Sequence, residues 1–447
     1  MPTKTNPFKM REPITTTDNN QGVSFGNEHA DNLRKLSEHP LRELDFDGHP
    51  NLLVFPQDFK TYGDEIGKER IFTIEGDKLK TGNIMGFVGY NGTKVRIHSR
   101  FATDDGKDYF LHYMLRRVFA INLFDLKYDS DEEGIFDFLI YLFPSFLKCA
   151  LRQGLYREYH SKRYNDANVR GRIDVSQHIR QNMPFAGKIS YTTREYTSDN
   201  YVTQLVRHTI EYLAAHSLGM NILCNDDETK DAISIINAAT PTYDQHERSK
   251  IVGKNLRPVS HPYFIDYLPL QRLCLQILRH DELKYGKDDN QIYGILFDGS
   301  WLWEEYLATL LEPLEFKHPH NKTDKAGKYV FSNPLKVKSQ PDFFIDRKVV
   351  LDAKYKRHKS LFEAEQREDR FQLLAYMHIF ETDCSGLIVP VDKDEIRNDK
   401  AEINGRGGMM HLFGLKVSHE ENSFQAYVDA MSREETELIQ TICAIES

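Results

Sequence analysis

The sequence predicts an α+β protein of several domains: a small N-terminal β domain, a mainly helical middle region and a C-terminal α/β domain. Short apolar runs rich in β-branched and aromatic residues, punctuated by glycine, fill 51–101. Apolar residues at helical spacing predominate from about 108 to 282. Helix, hairpin, helix and strand patterns then follow, which is the order of an α/β core. We place the parts at 1–45 (a flexible lead), 46–125 (β-rich), 126–285 (helical) and 286–447 (α/β).

Length and charge limit the class of protein. A chain of 447 residues can bury two or three separate cores. The net charge of −9 argues against an indiscriminate nucleic-acid binder covered in lysine. It does not exclude a DNA enzyme, because local grooves decide contact, and it suggests that a partner supplies much of the affinity.

Cysteine usage and hydropathy indicate the compartment. The five cysteines are scattered and form no C-x-x-C pair, which disfavours disulfides, zinc ribbons and Fe–S clusters and favours the reducing cytoplasm. Residues 1–20 are polar and do not form a signal peptide. No apolar run reaches the roughly 18 residues needed to span a membrane, so no membrane contact is expected.

The N-terminal elements follow from local pattern. Residues 1 to about 28 are polar and rich in threonine and asparagine, which predicts a disordered lead. Tyr90-Asn91-Gly92-Thr93 predicts a tight turn between two strands, and Ser198-Asp199-Asn200 predicts the start of a capped amphipathic helix. Strands are predicted at 52–55, 70–74, 84–90 and 95–98, and helices at about 108–124, 135–155, 268–283, 301–311 and 361–380.

One stretch of the middle region is basic. Tyrosines alternate with cations between 156 and 174, and such a stretch could follow a phosphate backbone and stack on bases. The alternative is a solvated helix face followed by a turn. The candidate DNA-contacting residues are Arg157, Lys162, Arg163, Arg170 and Arg172.

A hairpin between 340 and 354 carries the strongest chemical signal. Two β-prone runs, 343–345 and 349–351, are separated by three polar residues centred on Arg347, which fits a short hairpin connection. Pairing residue 345 with 349 and continuing away from the turn places Asp342 opposite Asp352. Their Cβ atoms should then lie about 4.5–5.5 Å apart on one face.

The two acids predict a metal site. Two carboxylates about 4 Å apart repel by roughly 4 kcal/mol at an effective dielectric near 20, and a divalent cation reverses that sign. Oxygen ligands suit Mg²⁺, or Mn²⁺, better than zinc. Strand alternation adds Lys354 to the face of Asp352, where it could orient or help deprotonate the water that attacks a phosphodiester. The alternative is an ordinary surface hairpin with a salt bridge.

The flanking helices offer two further polar side chains. Helical spacing places Glu304 on the apolar face with Leu307 and Leu311, whereas Glu305 belongs to another face. An inward carboxylate is costly unless it is paired or binds metal, so Glu304 is a candidate third ligand; the alternative is an ion pair with Lys354 or Arg370. On the next helix, Gln372 could hold the water, Lys354 or a phosphate oxygen, with Tyr376 as packing support.

These residues resemble a known nuclease motif. Pro341-Asp342 followed by Asp352-Ala353-Lys354 looks like the PD-(D/E)xK signature, with Glu304 as the helical glutamate and Gln372 as the downstream glutamine. Over about 75–390 the chain is similar to the McrC family, the nuclease subunit of modification-dependent or LlaJI-like restriction systems. The segments that carry this similarity are 86–89, 154–159, 170–174, the helix start at 199–200, 302–305 and 351–356.

The resemblance implies a restriction-endonuclease-like fold for 286–447 and a division of labour. McrC-like proteins cut double-stranded DNA only with an AAA+ GTPase of the McrB type, expected as a hexameric ring. Their N-terminal β region inserts into this ring and stimulates GTP hydrolysis. The chain has no G-x-x-x-x-G-K-[ST] motif of its own, as this division requires. Candidate partner-binding residues are Asn91 and Arg96, and a second copy, contacted through the nuclease domain, is a further candidate partner.

The resulting hypothesis is Mg²⁺-dependent hydrolysis of DNA within a restriction system. The metal would be held by Asp342, Asp352, Glu304 and the Ala353 carbonyl, with Lys354 offsetting developing charge. Two alternatives stay open. One is a catalytically silent adaptor that only activates the GTPase. The retention of both aspartates, Lys354 and Glu304 argues against it. The other is a stand-alone DNA-repair nuclease of the same superfamily.

Overall fold

The chain divides into two compact units, which we call unit 1 (1–138 with 282–447) and unit 2 (139–281). The computed structural model describes residues 13–43, 51–56, 70–103, 106–119, 132–224, 226–284, 292–319, 327–331, 337–357, 360, 367–392, 398–405 and 407–446.

The described elements comprise strands and α-helices in both units. The strands are β1 (Ile14–Thr17), β2 (Val23–Ser24), β3 (Asn51–Phe55), β4 (Phe72–Glu75), β5 (Lys78–Thr81), β6 (Ile84–Tyr90), β7 (Thr93–His98), β8 (Glu158–Asp166), β9 (Arg172–Ile173), β10 (Ile189–Thr197), β11 (Tyr293–Asp298), β12 (Lys328–Tyr329), β13 (Lys338–Ser339), β14 (Phe343–Ile345), β15 (Val349–Ala353), β16 (Cys384–Val391), β17 (Asn398–Glu402) and β18 (Met409–Lys416). The helices are α1 (Ala30–Glu38), α2 (Tyr109–Phe119), α3 (Glu132–Arg152), α4 (Val175–Gln181), α5 (Tyr201–Ala214), α6 (Ser217–Leu223), α7 (Asp227–Ala239), α8 (Arg248–Lys254), α9 (Tyr267–Lys284), α10 (Gly299–Leu311), α11 (Arg367–Phe380) and α12 (Phe424–Glu446).

A five-stranded sheet with the order β1-β7-β6-β11-β3 forms the N-terminal part of unit 1. The predicted turn between β6 and β7 is confirmed: Tyr90 pairs with Thr93, and Asn91 and Gly92 have φ angles of +47° and +76°. β6 and β11 approach each other closely at Gly86 and Gly294. A Cβ atom at these two positions would lie 2.2 and 2.1 Å from a carbonyl oxygen of the facing strand, so only glycine fits there.

The flexible lead predicted for 1–45 is wrong for residues 13–43. β1 pairs in parallel with β7, because the polar run Ile-Thr-Thr-Thr is rich in β-branched residues that favour a strand. The buried carboxylate of Asp18 then accepts a hydrogen bond from Arg100 Nε at 2.8 Å. Burial raises the pKa of Asp18 to about 6, although the Arg100 charge opposes that shift.

The predicted separation of 46–125 from 286–447 also differs from the structure, since both belong to unit 1. The reason is β11, which we assigned from sequence to the C-terminal domain. It lies inside the N-terminal sheet, antiparallel to β6 and parallel to β3. The strand leads directly into α10, so one continuous segment connects the N-terminal sheet to the C-terminal part of the unit.

The C-terminal sheet of unit 1 has the order β14-β15-β16-β18-β17. β14 and β15 form the predicted hairpin, and β15, β16 and β18 run parallel to one another. α11 connects β15 to β16, as expected for two parallel neighbours. Leu373 of α11 packs with Leu387, Val389 and Leu412 of the sheet in a buried cluster. β15 therefore lies inside the sheet, between β14 and β16.

Unit 2 contains a three-stranded antiparallel sheet, β8-β10-β9, together with α4 to α8 and most of α9. The mainly helical prediction is wrong for 158–166, which form β8, paired with β10 along all nine residues. Burial alternates strictly along β8, but its polar composition hides that period in the sequence. The predicted cap is confirmed, because Asn200 accepts from Val202 N and Thr203 N. Among the described residues, no helix combines the length and apolarity required to cross a bilayer.

Candidate active site

The hairpin has the predicted register. Ile345 pairs with Val349 and Phe343 with Leu351, and Arg347 occupies the turn with a φ of +60°. Asp342 directly precedes β14, so the next position across from it is Asp352. One carboxylate oxygen of Asp342 accepts a hydrogen bond from the Ala353 backbone N–H at 2.7 Å, which holds it against β15.

Asp352 and Lys354 form a close ion pair on β15 and the residue that follows it. Asp352 is 2% exposed, and its Oδ2 atom lies 2.6 Å from Lys354 Nζ. Burial raises the pKa of Asp352, and the positive charge of Lys354 counteracts this only in part. Burial alone would lower the pKa of Lys354, but the negative charges of Asp352 and Asp342 outweigh it and raise that pKa. Lys354 is therefore a cation at neutral pH, which favours orienting over deprotonating as its role.

A second ion pair lies beside the first and was missed from sequence. Asp369, in the first turn of α11, is buried and lies 2.5 Å from Lys356 Nζ. Its negative charge acts on both Asp352 and Lys354. The available signal was spacing: Lys356 follows Lys354 by two residues, and Asp369 precedes Gln372 by three, so each shares a face with a residue already predicted.

Glu304 is buried on α10, as its helical spacing predicts. One of its contacts is with His318, whose Nδ1 lies 3.8 Å from Glu304 Oε1. Glu305 reaches the same ring, since its Oε1 lies 3.8 Å from His318 Nε2. Glu304 was predicted to be the acid of α10 that points inward, but Glu305 also contacts the buried His318 ring. His318 was missed because its segment has no periodic pattern.

Gln372 and Tyr376 contact each other along α11. Gln372 Nε2 donates to the Tyr376 hydroxyl at 2.8 Å, and this hydroxyl donates to the Gln340 carbonyl at 3.4 Å. Tyr376 therefore supports the segment just before Asp342, as predicted. A direct role for Gln372 toward water, Lys354 or phosphate stays a prediction.

Tyr355 anchors the end of this strand to the N-terminal sheet within unit 1. Its buried ring lies 4.7 Å from the Arg100 guanidinium, and its hydroxyl donates to the sulfur of Met85 on β6 at 3.5 Å. A Cβ atom on Gly299 would lie 2.8 Å from the ring, so glycine is required where α10 begins. Tyr355 thereby fixes the position of the residue that directly follows Lys354.

The carboxylates of Asp342 and Asp352 offer the oxygen ligands that a hard divalent cation prefers. In the described part of the chain, no group of three or more His, Cys, Asp or Glu side chains is arranged to hold a metal ion, so Asp342, Asp352 and Glu304 are not gathered into one cluster. Mg²⁺, however, is commonly bound by one or two carboxylates together with waters and substrate phosphates. Two hairpin carboxylates meet that requirement, and the Ala353 carbonyl stays a predicted additional ligand.

The predicted DNA-contacting residues do not share one face of unit 2. Arg157, Arg163, Arg170 and Arg172 are exposed. Lys162, on the opposite face of β8 from Arg163, is only partly exposed and lies 3.8 Å from Glu195. The face of Arg163 also carries Tyr159, with Arg194 stacked 4.9 Å from its ring. DNA contact by these residues stays a prediction.

The predicted partner-binding residues lie on the β6–β7 hairpin. Asn91 occupies the turn, and its carbonyl accepts from Asn32 Nδ2 at 3.2 Å. Arg96 lies within β7 and is partly buried. Both positions have structural roles, and their contact with a partner stays a prediction.

Comparisons with known proteins identify a family model and solved structures that are similar to this chain. A family model described as McrBC 5-methylcytosine restriction system component matches residues 79–390. No curated protein matches the sequence. A chain of the refined half-complex from the tetradecameric assembly of Thermococcus gammatolerans McrB AAA+ hexamers with bound McrC is 15% identical, with a TM-score of 0.48, over 94% of this chain and 100% of its own. A chain of the cryo-EM structure of the Thermococcus gammatolerans McrBC complex is 16% identical, with a TM-score of 0.31, over 67% and 87%.

Proposed function

Because the chain belongs to the family of McrBC 5-methylcytosine restriction system components, we propose that it is the McrC-type subunit that cuts DNA. The observation that carries this proposal is the hairpin. Asp342 and the Asp352–Lys354 pair meet on adjacent strands, with α10 before them and α11 after them. That order and those residue types are the pattern of the PD-(D/E)xK nucleases.

The chemistry proposed is Mg²⁺-dependent hydrolysis of a DNA phosphodiester. Asp342 and Asp352 would hold the cation, which when bound supplies positive charge at the scissile phosphate and at the attacking water. Lys354 is a cation held 2.6 Å from Asp352, so it can bind a phosphate oxygen and offset the negative charge that develops there. Glu304 adds a buried acid on α10, and its Oε1 lies 3.8 Å from His318 Nδ1.

We further propose that cleavage requires a McrB-type AAA+ GTPase. The sequence contains no P-loop, so the nucleotide-driven step must come from another chain. Its net charge of −9 also gives little general attraction for DNA, which favours delivery of the DNA by a partner. Double-stranded DNA is therefore the substrate, and the ring-forming GTPase is the partner.

The test is cleavage of plasmid DNA, with and without 5-methylcytosine, in the presence of the cognate GTPase, GTP and Mg²⁺. Asp352→Ala and Lys354→Ala should each lower the cleavage rate by about 100-fold or more, while GTPase stimulation persists. Lys317→Ala is a matched control, because Lys317 pairs with Asp346 at the exposed end of the same hairpin. Cleavage by Asp352→Ala at the unmodified rate would show that the assigned site is wrong.

Two outcomes of this test would indicate the two alternative functions, the silent adaptor and the stand-alone nuclease. A chain that stimulates the GTPase but never cuts DNA is an adaptor, and a chain that cuts equally well without the GTPase is a stand-alone nuclease. Either result would refute the proposed division of labour.

A further inference from the structure

The imidazole of His318 is enclosed between the hairpin and α10. Its side chain is fully buried, and its Nδ1 atom lies 2.9 Å from the Asp342 carbonyl oxygen. A carbonyl oxygen can only accept, so Nδ1 carries the hydrogen of this bond. The ring also stacks on Phe343, with centroids 4.8 Å apart and planes inclined by 25°. His318 therefore contacts both the backbone of Asp342 and the residue that follows it.

The backbone around His318 fixes the ring. Lys317 N–H donates to the Phe344 carbonyl at 2.9 Å, and Phe344 N–H donates back to the Lys317 carbonyl at 3.1 Å. These reciprocal bonds attach the histidine segment to β14 as a short additional ladder. The ring consequently has a defined position relative to the start of the hairpin.

Both ring nitrogens of His318 also lie near acids of α10. Glu304 and Glu305 are consecutive residues, yet each places a carboxylate oxygen 3.8 Å from a different ring nitrogen. The helix cannot rotate freely to change this, because Trp303 donates its indole N–H to the Ile388 carbonyl at 3.3 Å. His318 is thus a contact shared by both acids of α10 and the peptide of Asp342.

We propose that His318 is a positioning residue for the divalent-cation site, an inference that rests on the proposed nuclease function. It donates a hydrogen bond to the Asp342 carbonyl through Nδ1, and its two nitrogens lie beside the carboxylates of both α10 acids. Without the ring, the Asp342 carbonyl loses a donor and the two glutamates lose the group that both of them contact. The Asp342 carboxylate then loses the orientation that a cation requires.

The test measures metal binding directly. Mn²⁺ binding to the full chain, followed by the EPR signal of the free ion, reports the site without DNA or catalysis. His318→Phe keeps a ring that can stack on Phe343 but removes both nitrogens, and we expect it to weaken Mn²⁺ binding by about 10–100-fold. His246 is exposed in unit 2, so His246→Phe should bind Mn²⁺ as the unmodified chain does.

Two conservative variants separate positioning from packing. Asparagine places an amide N–H near the position of Nδ1, whereas glutamine places it near Nε2. His318→Asn should therefore bind Mn²⁺ more tightly than His318→Gln, even if His318→Phe fails to fold. Equal binding by the asparagine and glutamine variants, or unchanged binding by a folded His318→Phe, would overturn the inference.

Failure of the proposed function gives a different result. In that case the unmodified chain neither binds Mn²⁺ at a site sensitive to Asp352→Asn nor cuts DNA with its partner. Normal Mn²⁺ binding and cleavage by the unmodified chain, together with indifference to every His318 variant, refutes only the role of His318.

Discussion

Replacing Lys354 by methionine tests whether its ion pair is what allows Asp352 to be buried. The variant keeps most of the aliphatic stem but removes the charge that lies 2.6 Å from a carboxylate only 2% exposed. Removing one member of a buried pair typically costs about 3–5 kcal/mol, because the other charge stays buried and uncompensated. Lys356 also stabilises the charge of Asp352, so we expect the lower end, about 3 kcal/mol at pH 8.

The loss should depend on pH in a defined direction. Burial raises the pKa of Asp352 in the folded chain, and loss of Lys354 raises it further. A folded-state pKa above the unfolded value means that the folded chain binds the proton more tightly. The destabilisation is therefore complete above the folded pKa and is relieved as the pH falls through it. Lys354→Met should therefore recover stability relative to the unmodified chain as the pH is lowered from 8 through the folded-state pKa of Asp352.

The assay uses the two tryptophans of the chain, Trp301 and Trp303, which both lie on α10. Their fluorescence in a urea titration reports the unfolding of unit 1 beside the site. Asp352→Asn combined with Lys354→Met should restore most of the loss, since a neutral pair needs no compensation. Lys317→Met removes an exposed pair on the same hairpin and should cost about 1 kcal/mol or less. A Lys354→Met loss no larger than that of Lys317→Met would refute the reasoning.

Three further predictions concern residues that stabilise the fold outside the hairpin. Gly299→Ala should lower the free energy of unfolding of unit 1 by about 1–3 kcal/mol, because the new methyl group meets the Tyr355 ring at 2.8 Å; unchanged tryptophan unfolding in urea would contradict this. Asn91→Ala should cost about 1 kcal/mol in the same assay, because φ is +47° there, whereas Asn91→Gly should cost less. Asn200→Ala removes the acceptor of the Val202 N–H and should speed amide exchange at the start of α5, whereas Asn200→Ser should largely preserve protection there.

The hairpin could be predicted because its information is local. Alternation of apolar residues around Arg347 sets the register, and the register sets which residues face Asp352. The inward direction of Glu304 follows from helical spacing in the same way. In each case the side-chain period of one element sufficed, with no knowledge of its neighbours.

The sequence did not allow us to predict which helices, strands and loops contact one another. His318 reaches the site through a two-residue bridge to β14, a contact that leaves no periodic pattern. Helical spacing places Asp369 on the face of Gln372, but it does not indicate that Asp369 meets Lys356. β8 was not predicted because both of its faces are polar, so its sequence lacks the alternation of apolar and polar residues that indicates a strand. β11 reads correctly as an apolar segment, but nothing in its pattern indicates that it inserts between β6 and β3.

The insertion of β11 sets the order in which the chain can fold during synthesis. β6 and β3 leave the ribosome early, yet the strand between them follows His98 by about 200 residues. At roughly 5–20 residues per second, both edges stay unpaired for about 10–40 s. Unit 2 is synthesised entirely within that interval and can fold before β11 is available to complete the N-terminal sheet. A chain that stalls before residue 293 therefore exposes two open strand edges, the feature most prone to aggregation.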